Sequence, residues 1–339
     1  MTLPLPEGGA CATGSYTPGD LVATAARGEV SLAAAHDLPG VWEVEPGIRL
    51  HYFGRGAGTP VLVIHGGPGL PSEDAWPGLE PLGGQFTFYY YHKRGSGAST
   101  RPIDRFTSSN YRENAATLVQ ALGIAAQLAD IERIRKLLGE DRLILVGHSF
   151  DGFLAALYAA EFPEHVRKLL LVAPADLLRF PQPDGGLYER VEALLPAESR
   201  AAYQDWLRRY FDYGSLFKKS EADLETLNLA FMLFWEQAEQ AMHPSSGRTP
   251  PVDPALVGGW VQPGAYFSMG QRYDCRASLS RLTVPALVLV GDRDPVGATS
   301  VADYRSLPNA RIVVIPGSGH FPQEDAPNFP SLAGAFLDE

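Results

Sequence analysis

Three kinds of side chain in this sequence are the kinds that acyl transfer requires. Ser149 lies in Gly147-His148-Ser149-Phe150-Asp151, two carboxylates in Gly291-Asp292-Arg293-Asp294-Pro295, and His320 in Gly317-Ser318-Gly319-His320-Phe321. A serine hydroxyl is a poor nucleophile at neutral pH; it needs a base to take its proton, and the base needs a partner to orient it. Serine, acid and histidine supply those three roles. Each residue alone has a plainer reading: a serine caps helices, an aspartate suits turns, a histidine sits at a surface. What joins them is position, because each follows an apolar run (143–146, 287–290, 312–315) that reads as a buried strand. All three then reach one edge of one sheet. Asp292 lies closer to its strand end; Asp294 precedes a proline that would hold its loop.

A tetrahedral intermediate also needs two N–H donors, each contributing roughly 2.7–4 kcal/mol in measured cases. His65-Gly66-Gly67-Pro68-Gly69 follows the apolar run 61–64, and its glycines permit close backbone approach. Gly67 and Phe150 are the expected oxyanion donors. Asp151 is the discordant residue, one position beyond them. In the first turn of a helix a carboxylate gains about 0.3–1 kcal/mol from the helix dipole. As a charge about 8 Å from an oxyanion, at an effective dielectric of about 20, it would repel by roughly 2 kcal/mol.

The elements that must position these residues alternate. Strands are expected at 61–64, 86–91, 143–146, 168–172, 286–290 and 311–315, and helices at 115–138, from 153, and at 329–337. That alternation predicts an α/β fold with a doubly wound, mostly parallel sheet. A hairpin at 41–53 precedes it. Gly54 to Gly58 has the glycines of a phosphate loop but leads into a strand, so it reads as a hairpin turn. Residues 174–274 break the rhythm with amphipathic helices at 203–213 and 224–242, and they are expected to form a helical cap over the carboxyl edge of the sheet, where ligands bind in open α/β sheets. The expected division is an N-terminal arm at 1–38 with a short helix at 20–27, a core at 39–173 and 275–339, and a cap at 174–274.

Composition narrows the partners. The 339 residues carry a net charge of −11, which disfavours nucleic acid and anionic lipid. Cys11 and Cys275 make neither a disulfide framework nor a zinc site. No apolar run spans a membrane, and the first nine residues lack the basic and apolar segments of a secretory signal, so a cytoplasmic protein is expected. The chemistry calls for no metal and no cofactor, and the expected partner is a small-molecule ester or amide. Oligomeric state is not legible.

The serine on a strand-to-helix turn, the His65 to Gly69 loop and Arg94-Gly95-Ser96-Gly97 together resemble the proline iminopeptidase branch of the α/β-hydrolases, from Trp42 to the C-terminus. The resemblance implies an α/β-hydrolase fold with an inserted helical cap. It maps a catalytic triad onto Ser149, Asp294 and His320, and oxyanion donors onto Gly67 and Phe150. The sequence departs from the family pattern at His92-Lys93, where Asp-Gln is usual, and at Asp151, where the elbow usually ends in glycine. Such peptidases hold the free amino group of the substrate with acidic cap residues. Trp235-Glu236 resembles one such site, whereas Pro263-Gly264-Ala265 stands before Tyr266 where a second acid is expected. With Trp235, Glu236 and Tyr266 as candidate substrate contacts, an apolar, aromatic cap suits a small neutral acyl ester. The expected activity is therefore a carboxylesterase acting through an acyl-enzyme, with an aminopeptidase as the alternative. A non-catalytic receptor on the same fold is the reading from another class. Haloalkane dehalogenases and epoxide hydrolases use a carboxylate nucleophile, against which Ser149 argues.

Overall fold

A computed structural model describes residues 39–242, 253–270 and 272–339. The expected arm at 1–38 and its helix lie outside the described residues. The apolar runs form strands β1 (Val41–Glu45), β2 (Ile48–Gly56), β3 (Thr59–Ile64), β4 (Phe86–Tyr91), β5 (Leu143–His148) and β6 (Val166–Val172). A short β7 (Arg179–Phe180) pairs with β8 (Tyr273–Asp274), and β9 (Ala286–Gly291) and β10 (Ala310–Ile315) complete the set. Among the described residues the main sheet has eight strands in the order β1-β2-β4-β3-β5-β6-β9-β10. β1 and β2 are antiparallel, β2 pairs β4 antiparallel, and every later pairing is parallel. The turn at Gly54 to Gly58 therefore does not close a hairpin. β2 pairs with β4, and β3 is carried past it to lie between β4 and β5.

The central strands are buried along their whole length, as continuous apolar runs in a sheet covered on both faces must be. The helices covering them include α1 (Tyr111–Leu122), α2 (Ile124–Leu138) and α3 (Phe150–Glu161). The spacing predicts one helix over 115–138, but the chain breaks at Gly123, which ends α1 and begins α2. The Ile124 N–H donates to Ser268 Oγ at 2.9 Å, so a residue of a distant helix satisfies the amide that the break frees.

Residues 174–274 contribute α4 (Leu187–Leu194), α5 (Ala197–Tyr210), α6 (Glu221–Met242) and α7 (Val261–Met269). α4, α5 and α6 share an aromatic cluster that includes Tyr203, Trp206 and Trp235. α7 instead packs against α1 and α2 of the core. After the sheet resumes, α8 (Gly297–Tyr304) and α9 (Phe329–Asp338) cover its last strands.

Register places the chemistry. Ile64 is level with Gly147, His148 with Val172, and Gly291 with Ile315. The loops after β3, β5, β6, β9 and β10 therefore leave the sheet at one edge, beneath the helices of 174–274.

Candidate active site

The strand-to-helix turn at Ser149 is tight. Ser149 has φ 53° and ψ −124°, a sparsely populated conformation for a residue with a Cβ, costing of order 1–3 kcal/mol. Three amides hold it there: Gly152, Phe153 and Ala175 donate to the Ser149 carbonyl at 3.0, 3.2 and 2.9 Å. The Ser149 N–H donates to Val172 O at 3.0 Å. The serine is thereby lifted off the sheet and remains partly exposed.

His320 Nε2 lies 2.9 Å from Ser149 Oγ, and its Nδ1 lies 2.9 Å from Asp294 Oδ2. Asp294 and His320 are buried, and Asp294 Oδ1 accepts from the Val296 N–H at 3.0 Å. Asp292 is exposed, and its Oδ1 accepts from the Gly317 N–H at 2.8 Å. Of the two carboxylates left open by the residue reading, Asp294 meets the histidine and Asp292 ties two loops together. Burial disfavours the His320 cation, but the charge and hydrogen bond of Asp294, with the charges of Glu239 and Asp176, outweigh it and hold the pKa above the ordinary histidine value.

His148 backs this arrangement. Its Nε2 lies 2.8 Å from the main-chain oxygen of His320, and its ring is 4.9 Å from the His320 ring. Burial and the neighbouring His320 push its pKa down to about 3, so it stays neutral. The loop after β3 lies against it. A Cβ on Gly66 would meet His148 Nδ1 at 2.6 Å, so glycine is what lets the loop approach the serine. Gly67 and Phe150, the expected oxyanion donors, both line the same cavity as Ser149, and the Phe150 N–H belongs to the free amides of a helix's first turn.

That cavity encloses about 450 Å³ and is bounded by the core loops below and by Tyr188, Tyr210, Phe231, Trp235 and Tyr266 above. Trp235 stands edge-on to His320 with ring centroids 4.7 Å apart. Trp235 and Tyr266 thus meet the site, but Glu236 does not. It is exposed, accepts from Gln240 Nε2 at 3.3 Å, and is absent from the cavity wall. One residue along a helix is a rotation of about 100°, which turns Glu236 off the face that carries Trp235. Glu239, four residues from Trp235, shares that face; it is buried and accepts from the His320 N–H at 3.1 Å.

Asp151 is fully buried and is not a lone charge. Lys93 Nζ donates to its Oδ1 and Oδ2 at 2.6 and 2.5 Å, and the same ammonium sits 5.2 Å from the centre of the Phe150 ring. The two departures from the family pattern, Lys93 and Asp151, are therefore one ion pair. Neither the helix-dipole reading nor the oxyanion-repulsion reading included this partner. Arg94, beside Lys93, binds Asp130 at 2.6 and 2.5 Å and also bonds Glu45, which pins the loop after β4 to α2 and β1. His65 is buried and uncharged, its pKa pushed down by burial and by Lys93, with Nδ1 2.9 Å from Gly66 O. Asp176, which the sequence reading passed over, also lines the cavity. Its signal was available: it follows the end of a predicted strand, as Ser149 and Asp294 do.

Among the described residues no cluster of histidine, cysteine and carboxylate side chains has the makings of a metal site, and no helix is long and apolar enough to cross a membrane.

Known proteins resemble this chain in sequence and in fold. The chain is 27% identical over 291 residues to the proline iminopeptidase of Heyndrickxia coagulans, covering 84% of this chain and 92% of that protein. It is 27% identical over 304 residues to the 2-hydroxymuconate semialdehyde hydrolase of Pseudomonas sp. CF600, covering 87% and 93%. Its structure superposes on the esterase EaEST of Exiguobacterium antarcticum with a TM-score of 0.58 at 18% identity, covering 89% of this chain and all of that one. The sequence pattern of the alpha/beta hydrolase fold matches residues 59–327. The chain belongs to the α/β-hydrolase family and is a hydrolase.

Proposed function

We propose that this protein is a serine hydrolase that forms an acyl-enzyme, and that its activity is that of a carboxylesterase on small acyl esters. One observation carries the reading: Ser149 Oγ, His320 and Asp294 form a continuous hydrogen-bonded chain at 2.9 Å per link on the floor of an aromatic cavity. His320 Nε2 takes the proton of Ser149 as the oxygen attacks the carbonyl carbon. Asp294 holds the imidazole tautomer and stabilises its cation. The N–H groups of Gly67 and Phe150 receive the oxyanion. His320 then protonates the leaving oxygen, and water, activated by the same histidine, releases the acid. α4, α5 and α6 act as the lid that selects the substrate.

A second reading, an aminopeptidase, is favoured by the relatives that are proline iminopeptidases. An amide differs in its leaving group, so a panel of p-nitrophenyl esters beside amino-acid p-nitroanilides separates the two. We expect ester turnover to exceed anilide turnover at least tenfold; the reverse order overturns the esterase reading. A fluorescent organophosphonate should label the protein at Ser149 and fail to label Ser149→Ala. Labelling that persists in the variant refutes the nucleophile, and a protein that neither labels nor hydrolyses any member of the panel is a receptor.

A further inference from the structure

The walls of the cavity are uneven in charge. Among the described residues no lysine or arginine lines it, whereas Glu73, Asp74, Asp176 and Glu324 do. A pocket for a carboxylate or phosphate would need a cation or a set of convergent N–H donors; away from Gly67 and Phe150, the expected oxyanion donors, this one offers oxygen and aromatic rings. Tyr188 and Tyr266, with their hydroxyls 3.2 Å apart, and Trp235 add aromatic rings to the wall, and aromatic rings attract cations.

Asp176 is the residue out of balance. It is 2% exposed, yet its Oδ2 has no hydrogen-bond partner among the described residues. Gln182 does not satisfy it. Gln182 Nε2 donates to the main-chain oxygen of Asp176 and to Asp303 Oδ2, at 2.7 and 2.6 Å, and leaves the Asp176 carboxylate alone. Burial, then the charges of Asp303 and Asp294, push its pKa up to about 7, with Arg190 and a hydrogen bond from its own backbone N–H pulling the other way. A buried polar atom left unpaired carries the full cost of its lost hydration. A ligand carrying N–H groups and positive charge would remove that cost.

We propose that the cavity takes a substrate bearing a protonated amine, and that Asp176 is the specificity-determining residue that holds it. The counter-charge then comes from the core segment after β6, not from the cap position of Glu236. The proposal rests on the hydrolase reading for the identity of the cavity, and it corrects the expectation of a neutral acyl group drawn from apolar walls alone.

Two probes of one shape test it: benzylamine, charged at neutral pH, and benzyl alcohol, neutral. As competitive inhibitors of p-nitrophenyl acetate hydrolysis at pH 7.5, the amine should bind at least tenfold more tightly than the alcohol. Asp176→Asn, which keeps shape and removes charge, should bring the two within about twofold. Equal inhibition in the unmodified protein, or a preference that survives Asp176→Asn, overturns the proposal. If no ester is hydrolysed the hydrolase reading fails on its own, and calorimetric titration of the same two probes decides the cation site without turnover. Tighter binding of the amine sustains the site and equal binding removes it. Should Asp176→Asn not fold, the comparison of the two probes on the unmodified protein still decides.

Discussion

Asp151 and Lys93 lie 58 residues apart in the chain and 2.5–2.6 Å apart in the fold, both out of reach of solvent. Burial pushes the Asp151 carboxyl up to about 6 and the Lys93 ammonium down, so each keeps its charge only because the other is there. Breaking such a pair from one side costs about 3–5 kcal/mol, whereas replacing both members can be neutral. Lys93→Gln and Asp151→Gly should each lower stability by about that amount. The double variant, which restores the residues usual in the resembled family, should lose much less, and a double-mutant cycle in urea checks it. Additive losses would show that the pair is not coupled. A second residue-scale expectation concerns His320. A general base works in its neutral form, and the pKa of this histidine is raised by Asp294 against burial. The acid limb of kcat/KM should therefore inflect above the ordinary value of about 6.5. Asp294→Asn should move that inflection down while lowering kcat by roughly 10³–10⁴-fold. A pH–rate profile of both proteins measures the two effects. At this scale the serine and histidine that meet at 2.9 Å were legible because strand ends mark them in the sequence. The ion pair was not, since nothing local to Asp151 names a partner on another strand.

The strand–turn–helix from Leu143 to Glu161 is the element on which the site depends. Its geometry is set by a crossing in which α3 turns back over β5. A Cβ on Gly147 would meet Asp151 O at 2.4 Å and Gly152 Cα at 2.9 Å. These are backbone atoms that no rotamer change can move aside. Gly147→Ala should destabilise the protein by about 1–3 kcal/mol and lower kcat/KM at least tenfold, because relief of the clash moves Ser149. Chemical denaturation and ester kinetics together test this, and a variant of unchanged stability would show that the turn yields cheaply. Other elements were less legible. Gly123 splits the helix expected at 115–138, and the apolar spacing runs through the break because α1 and α2 bury neighbouring faces. On α6 the reading chose the carboxylate next to Trp235, while helical geometry brings Glu239 to His320 instead. The pairing of β2 with β4 was hidden because adjacency in sequence favours a hairpin, whereas only the assembled sheet shows which edge is free.

The molecule as a whole carries 39 acidic and 28 basic side chains of lysine and arginine type, a net charge of −11, and its candidate site repeats that sign. A negative field focused on a cleft raises the encounter rate of a cation and is screened by salt. The kcat/KM for an amine-bearing ester should fall several-fold between about 20 mM and about 500 mM salt, while that of a neutral ester of the same shape stays nearly flat. Stopped-flow or steady-state kinetics across the series measures the difference, and parallel curves would count against a charge-selective cavity. The amino-acid sequence by itself determined the α/β architecture and the identity of Ser149 and His320 as partners. Buried parallel strands need continuous apolar runs, and residues that follow such runs must emerge at one edge. Which aspartate meets the histidine, which carboxylate of α6 reaches it, that Asp151 is neutralised by Lys93, and that Asp176 Oδ2 has no hydrogen-bond partner among the described residues were decided by the tertiary structure. Each depends on a distance between segments far apart in the chain, and charge pairing is settled by where side chains meet.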